Sequence, residues 1–525
     1  MARRSPGLSM AGLALDREAP APLSRQLYDL LREAILGGRL RPGSRLPSTR
    51  RLAAEGGASR NTVLAAFEQL TAEGYLEGRI GSGTTVARTV PETLLTVPPL
   101  RETGPGARAR GMARGGAEAT GAPRRAPGAD GLSRRGAGIA AAAAEFARVS
   151  GPPRPFRPGL PALDVFPFDL WARLSARRWR RASSALLDYG APAGHAPLRE
   201  AVAAHLRVSR AVRCEPEQVI VVTGSQQGID LAARILLDPG DPVWVEDPGY
   251  LGARGALAAS GARLIGVAVD AEGLDIDAAA RRGPAARLVH VTPSHQYPTG
   301  STLSLSRRLA LLDWARRTEA WVVEDDYDSE YRYGGRPLAA LQGLDRAGRV
   351  IYLGTFSKVL FPALRLGYLV VPPGLVDAFA RARWLTDRHS PSVTQAVLAD
   401  FIAEGHLARH IRRTRALYAE RQAALVEAAG RHLAPLVEVT PAEAGMHLVG
   451  WLPAGMDDGL AARQAADAQV AAPSLSSYRL RPGGRGGLVL GYAAFRPAEI
   501  RESVERLAMA LAPRRGERRA TAAIV

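Results

Sequence analysis

The chain has 525 residues, 46% of them hydrophobic, with 69 Lys+Arg against 51 Asp+Glu and a formal net charge of +18. A single hydrophobic core does not grow to that length, so two or three domains are expected, and the basic balance favours an anionic partner, nucleic acid first. One cysteine, Cys214, excludes an internal disulfide and a Cys-rich metal centre, and no apolar run approaches the roughly 20 residues that a membrane-spanning helix needs.

Residues 1–12 begin basic but lack the apolar stretch of a signal peptide, so the chain is expected in the cytoplasm, away from any membrane. A general bias toward Arg, Ala and Gly would give the same charge. The partner therefore has to be argued from motifs.

Over residues 18–88, Leu27, Leu30, Leu31, Ala34 and Ile35 repeat at helical spacing, and Gly37-Gly38 ends that helix. Ser48 can cap a second, short helix carrying Leu52 and Ala53. After Gly56-Gly57, Ser59 caps a third, whose buried stripe is Val63, Ala66, Phe67 and Leu70. Arg60, Asn61 and Thr62 then occupy its first turn, off the stripe, where a recognition helix presents side chains to base edges. Residues 75–86 read as two strands joined by a glycine turn, a wing able to approach the phosphate backbone. A three-helix protein-binding module would share the same apolar pattern.

Residues 89–150 are rich in Ala, Gly, Arg and Pro and poor in large apolar side chains, so they cannot offset chain entropy by burial and read as a flexible linker, with a helical turn at Ala140–Ala144. From 151 to 513, short apolar runs at 219–222, 243–245, 288–291, 321–323 and 350–353 alternate with helical patterns. That alternation predicts an α/β domain with a mostly parallel sheet covered on both faces.

Lys358 is one lysine among 69 basic residues. Where Arg has taken nearly every cationic role, a retained Lys points to chemistry that an always-protonated guanidinium cannot do, such as attack on a carbonyl by a neutral amine. A leftover surface lysine is the plain alternative. Its neighbourhood carries what an aldehyde cofactor such as pyridoxal phosphate (PLP) requires. The run Glu324-Asp-Asp-Tyr-Asp (324–328) puts acids at the end of an apolar strand. Thr355, Ser357 and Arg365 flank the lysine and suit a phosphate, and the strand-to-helix junction at Gly224-Ser-Gln-Gln (224–227) offers backbone N–H donors. Tyr250 is a candidate stacking face. Each feature has a plain structural reading by itself; their gathering around the lone lysine argues for a site.

Leu46-Pro-Ser-Thr-Arg-Arg-Leu-Ala (46–53), Ser59-Arg-Asn-Thr-Val (59–63) and Gly81-Ser-Gly-Thr (81–84) resemble the winged helix-turn-helix of GntR-type regulators. That resemblance implies a double-stranded DNA operator as partner, with Ser48, Arg50, Ser59, Arg60, Asn61 and Thr62 toward DNA and Gly81 and Gly83 in the wing. Glu55-Gly-Gly-Ala-Ser (55–59) departs from it, since the family usually has a bulkier apolar residue in the turn.

The later region, through Thr292-Pro-Ser-His-Gln-Tyr-Pro-Thr-Gly (292–300), Glu324-Asp-Asp-Tyr-Asp-Ser-Glu (324–330) and Ser357-Lys-Val-Leu-Phe-Pro-Ala-Leu-Arg-Leu-Gly-Tyr (357–368), resembles fold-type I, class I aminotransferases. Joined to the winged helix, the chain is similar to the MocR/GabR subfamily of transcription regulators. The resemblance implies PLP as cofactor, a Schiff base at Lys358, Asp325 on the pyridine nitrogen and Tyr327 on the phenolic oxygen. It also implies that Thr355, Ser357, Arg365, Ser225 and Gln226 hold the phosphate. Tyr189 matches the tyrosine lent to a neighbouring subunit's phosphate, which implies a homodimer.

Two departures bear on function. Tyr297 stands where aminotransferases have an Asn, and Val489 where they carry the Arg that grips a substrate carboxylate in a bidentate fork. Arg479, Arg481 or Arg485 are candidate substitutes. The favoured expectation is a PLP-dependent transcription regulator whose effector is PLP, an amine or an amino acid. A working aminotransferase with a DNA-binding head is the alternative, and a DNA-binding protein whose large domain only dimerises is a third.

Overall fold

Leu27, Tyr28, Leu31 and Ile35 lie buried along one face of helix α1 (Leu23–Leu36), which opens the described part of the first unit. The computed structural model describes residues 15–17, 19, 21–79, 83–87, 131–147, 154–282, 285–334 and 338–512, and the chain divides into two compact units, 1–122 and 123–525. In the first unit α1 packs with α2 (Thr49–Glu55) and α3 (Arg60–Ala72) around Leu52, Val63, Phe67 and Leu70. The hydroxyls of Ser48 and Ser59 accept from the amides of Arg51 (3.4 Å) and Thr62 (3.1 Å), so both helices begin at the caps that the sequence supplies. Strands β1 (Leu76–Arg79) and β2 (Gly83–Val86) pair antiparallel behind them as the wing. Gly81 lies outside the described residues.

A helix spans Arg134–Ala147, longer than the turn expected at Ala140–Ala144. The five consecutive alanines, the best helix formers, lie inside it, and the helix continues into Arg134–Ile139 before them and Glu145–Ala147 after.

The second unit is built on an eight-stranded sheet in the order β3-β10-β9-β8-β7-β4-β5-β6. Its strands are β3 (Val219–Val222), β4 (Pro242–Asp247), β5 (Arg263–Asp270), β6 (Gly273–Leu274), β7 (Leu288–Val291), β8 (Trp321–Asp326), β9 (Val350–Thr355) and β10 (Gly367–Val370). β5, β4, β7, β8 and β9 run parallel, whereas β10 is antiparallel to both its neighbours. Alternate residues serve opposite faces. Ile220 and Val222 join one cluster with Ile229 and Leu257, while Val219 and Val221 join another with Leu198 and Val202. This two-sided burial is why the strands read as continuous apolar runs.

A smaller antiparallel sheet, β11 (Glu438–Val439), β12 (His447–Trp451) and β13 (Gly487–Gly491), packs with the helices His406–His432 and Pro497–Leu511 around its own core. In the large sheet the carboxyl ends of β3, β4, β7, β8 and β9 share one rim, with the start of β10 beside them: Gly367 pairs with both Val222 and Thr355. Open α/β sheets bind ligands along such a rim.

Candidate functional site

Lys358 sits in the turn that follows β9, and its ammonium donates to the carbonyl of Gly159 at 2.8 Å. Burial holds the amine below the ordinary lysine range, Asp328 and Asp325 pull in the other direction, and Arg157 adds to the lowering. The partners come from a segment that crosses the small sheet: Phe156 bridges Gly491, and the amide of Gly491 donates back to Phe156 at 2.9 Å. A lysine desolvated in this way is the form able to act as a nucleophile.

Asp325 is the penultimate residue of β8 and is buried. One carboxylate oxygen lies 3.5 Å from His290 Nε2, and the other has no hydrogen-bond partner in the structure. A buried, unpaired carboxylate oxygen is costly unless a donor completes it. The neighbouring Asp326 faces the other side of the sheet, where Arg210 Nε (2.8 Å) and the Tyr352 hydroxyl (2.6 Å) donate to it and brace the strand end. Tyr327 follows, its hydroxyl 2.9 Å from His295 Nδ1, and the same nitrogen stands 3.0 Å from Asp328 Oδ2. Burial pushes the Tyr327 phenol well above its usual range, with Asp328 the next cause.

An anion cradle forms at the other end. Gly224 has φ +136°, a conformation open to glycine, and turns β3 into the helix Ser225–Leu236 so that the first amides face the rim. A Cβ at Gly224 would lie 3.5 Å from the Arg365 guanidinium, so side chain and helix start adjoin. Thr355 and Ser357 line the same turn, the hydroxyl of Thr355 accepting from the Ser357 amide at 3.2 Å. Gln226 behaves differently: its side chain is exposed and its amide donates to the Gly252 carbonyl at 3.0 Å. Tyr189 is 74% exposed, with Arg388 stacked over its ring at 4.3 Å.

Aromatic rings line the pocket side. Tyr297 packs edge-to-face on Tyr250, Tyr327, His447 and Tyr478, and its hydroxyl donates to that of Tyr478 at 3.2 Å. Burial pushes the phenols of Tyr250 and Tyr478 up to about 12 and that of Tyr297 well above its usual range. Val489 is fully buried in β13 among Leu251, Val449, Leu475 and Tyr478. Of the candidate substitutes for a carboxylate-gripping Arg, Arg479 donates to the Arg485 carbonyl at 2.8 Å and Arg485 Nε to the Leu452 carbonyl at 2.9 Å, while Arg481 is exposed. Arg479 is thus held by its own loop and Arg485 by the residue that follows β12. His295, Asp328 and His447 bring ligand-type atoms within 4.8 Å of one another, although both rings already hold hydrogen bonds.

In the head, Arg50, Arg60 and Asn61 are exposed and Thr62 is half-buried, its hydroxyl 2.8 Å from that of Ser59. Gly83 begins β2, and Arg45 lies against it: a Cβ there would meet the guanidinium at 2.9 Å. Arg45 thereby joins the cationic surface beside the wing, a placement set by its bridge to Thr85 that no local motif signals.

Residues 23–86 match the family of bacterial regulatory proteins of the gntR type, and residues 164–507 match aminotransferase class I and II. The probable rhizopine catabolism regulatory protein MocR of Rhizobium meliloti is 44% identical over 94% of this chain and 95% of its own length. The chain belongs to the MocR/GabR subfamily of GntR-type transcription regulators. The pyridoxine biosynthesis transcriptional regulator PdxR of Corynebacterium glutamicum is 32% identical over 92% of this chain and 94% of its own. Among solved structures, α-aminoadipate aminotransferase LysN of Thermus thermophilus, complexed with N-(5'-phosphopyridoxyl)-L-leucine, superposes with TM-score 0.67. It is 32% identical and covers 75% of this chain and 99% of that one.

Within this MocR-type chain several site neighbours carry no sequence signal. Gly159 and Lys358 are 199 positions apart, and His290, His295 and Asp328 acquire their partners only when the strand ends align. No described helix is long and apolar enough to cross a membrane.

Proposed function

We propose that this regulator is PLP-dependent: its aminotransferase-like unit holds PLP at Lys358 and senses PLP itself, an amine or an amino acid, and that state is transmitted to the DNA-reading head. The observation that carries the reading is the half-buried Lys358, its desolvated amine held below the usual range and facing the rim where Asp325 leaves a buried carboxylate oxygen without a donor. Bound PLP supplies an aldehyde that bonds covalently to an amine and a protonated pyridine ring that stores negative charge.

The residues present fit that group. Asp325 offers the unpaired oxygen to a pyridine N–H, and His290 Nε2 stands 3.5 Å from the other oxygen. The helix start after Gly224, with Ser225, Thr355, Ser357 and Arg365, suits a phosphate dianion, and Gln226 would add its backbone amide rather than its side chain. Tyr327 would serve the phenolic oxygen, and Tyr250 the ring.

Tyr189 would complete the phosphate site of a second copy. It lies exposed on a surface that also carries Leu187, Trp384 and Leu385, apolar side chains of the kind a homodimer covers. On this reading the partners are a DNA operator, a second copy and the small-molecule effector, in the reducing cytoplasm that a lone free cysteine suits.

Regulation outweighs turnover because Val489 offers no charge to a substrate carboxylate and Arg479 and Arg485 are otherwise engaged. A ligand shifts operator binding only through unequal affinity for the two dimer arrangements. Borohydride treatment of protein loaded with PLP, followed by peptide mapping, is expected to modify Lys358. An unmodified Lys358 would sink the reading. Multiple turnovers with amino donors and keto acids would instead establish the aminotransferase alternative.

A further inference from the structure

We infer that His295, backed by Asp328, is a positioning residue that fixes the Tyr327 hydroxyl as a hydrogen-bond donor to a phenolate-type oxygen of the ligand held at Lys358. The inference rests on the PLP reading and concerns residues that the sequence motifs left without a role.

His295 is 3% exposed, and Nδ1 stands 2.9 Å from the Tyr327 oxygen and 3.0 Å from Asp328 Oδ2, whereas Nε2 is buried with no partner. A hydrogen on Nε2 would have no acceptor, and the Asp328 carboxylate would then face a lone pair. With the hydrogen on Nδ1, it is shared between the carboxylate and the Tyr327 oxygen, and the buried Nε2 keeps only a lone pair, the cheaper orphan. Tyr327 accepts from His295 in that arrangement, so its own hydrogen is free to point away from the ring, into the site.

The ring packs closely against the backbone of Gly445. A Cβ at Gly445 would overlap its Cε1 and Nε2, and one at Gly300 would lie 3.3 Å from Nε2. The imidazole fills space that any side chain at 445 would occupy. His447 backs it at 5.1 Å between ring centres and is itself tied to the Pro298 carbonyl at 3.0 Å. Burial pushes His447 down to about 3, with His295 the next cause, so His447 brings no positive charge to compete for Asp328.

This support matters more here because Tyr297 replaces the Asn that would also reach a phenolic oxygen, and the Tyr297 hydroxyl is committed to Tyr478. Other charged and titratable groups facing the cluster are Asp325 and Lys358 along the rim, Glu246 beneath Thr292, and Tyr333 and Tyr492, whose hydroxyls donate to the Gly445 carbonyl and feel the Asp328 charge.

The test is a pH titration of the visible absorbance of the full-length PLP-loaded protein. Wild type is compared with His295→Asn, whose side-chain N–H takes the place of Nδ1–H, with His295→Gln, which mimics Nε2, and with Tyr327→Phe. The Asn variant is expected to titrate like wild type. The Gln and Phe variants should move the midpoint in the same direction, by about one pH unit for a hydrogen bond of about 1.4 kcal/mol.

A Gln variant that titrates like wild type while carrying a full complement of PLP overturns the inference alone. A wild-type protein that takes up no PLP overturns the functional reading with it. Should a His295 variant fail to fold, Asp328→Asn and the tautomer reported by ¹⁵N-histidine spectra of wild type decide the matter. A hydrogen found on Nε2 is the overturning result.

Discussion

The amine of Lys358 and the carbonyl of Gly159, 199 residues apart in the chain, meet at 2.8 Å. The contact ties the strap that crosses the small sheet to the turn after β9, and it gives the desolvated amine one backbone acceptor. A Cβ at Gly159 would fall 2.8 Å from the lysine nitrogen, so a side chain there would drive the amine out of its place.

Because burial lowers the Lys358 pKa in the folded state, the unfolded chain binds more protons than the folded one from that lowered value up to the ordinary lysine value of about 10.4. The cofactor-free protein should therefore gain stability as pH rises through this window. The contribution is at most one proton, or about 1.4 kcal/mol per pH unit. Lys358→Met should lack that part of the slope. Urea midpoints measured across alkaline pH on both proteins check it, and parallel slopes would count against a strained, desolvated amine.

Arg60 is exposed at the first position of α3, directly after the Ser59 cap. On the proposed reading Arg60 meets a base edge, so Arg60→Ala should cost about 1–3 kcal/mol of specific binding and relax preference at one base pair. Arg50→Ala should instead weaken all sequences alike and flatten the salt dependence by about one unit. Gel shifts on a selected operator and its single-base variants separate the two, and identical behaviour of the variants would refute the assignment of roles.

The head was legible almost residue by residue, because caps and an apolar stripe at 3.6 spacing are local signals: Ser48 and Ser59 cap, and Val63, Ala66, Phe67 and Leu70 are buried. The parallel strands were legible for a related reason, since burial on both faces makes each a short apolar run. What the sequence could not show is what lies across the rim. The His295–Asp328 pair, the unpaired oxygen of Asp325 and the strap at Gly159 arise from alignment of strands distant in sequence. Gln226 shows the same. Its motif gives no sign that the side-chain amide donates to the Gly252 carbonyl.

Glu330 supplies a prediction of opposite sign to that of Lys358. Its carboxyl is pushed up to about 7 by burial and then by the charge of Asp326, and one of its oxygens is buried without a partner. A folded pKa above the unfolded value of about 4.3 means that the folded chain holds the extra proton between the two, so its stabilising effect is complete below about 4.3 and is lost as pH rises through about 7. Glu330→Gln imitates the protonated acid at every pH. The variant should match wild type near pH 4 and exceed it near pH 8 by about 3 kcal/mol, as read from urea midpoints. Glu324, also pushed up to about 7, is no substitute in this test, because its two carboxylate oxygens accept from the amides of Leu341 (2.7 Å) and Gln342 (2.8 Å) and a carboxamide there would set its NH2 against one of those donors. A Glu330→Gln protein less stable than wild type at pH 8 would mean that the charged form is paired in solution and that burial is not what governs this carboxyl.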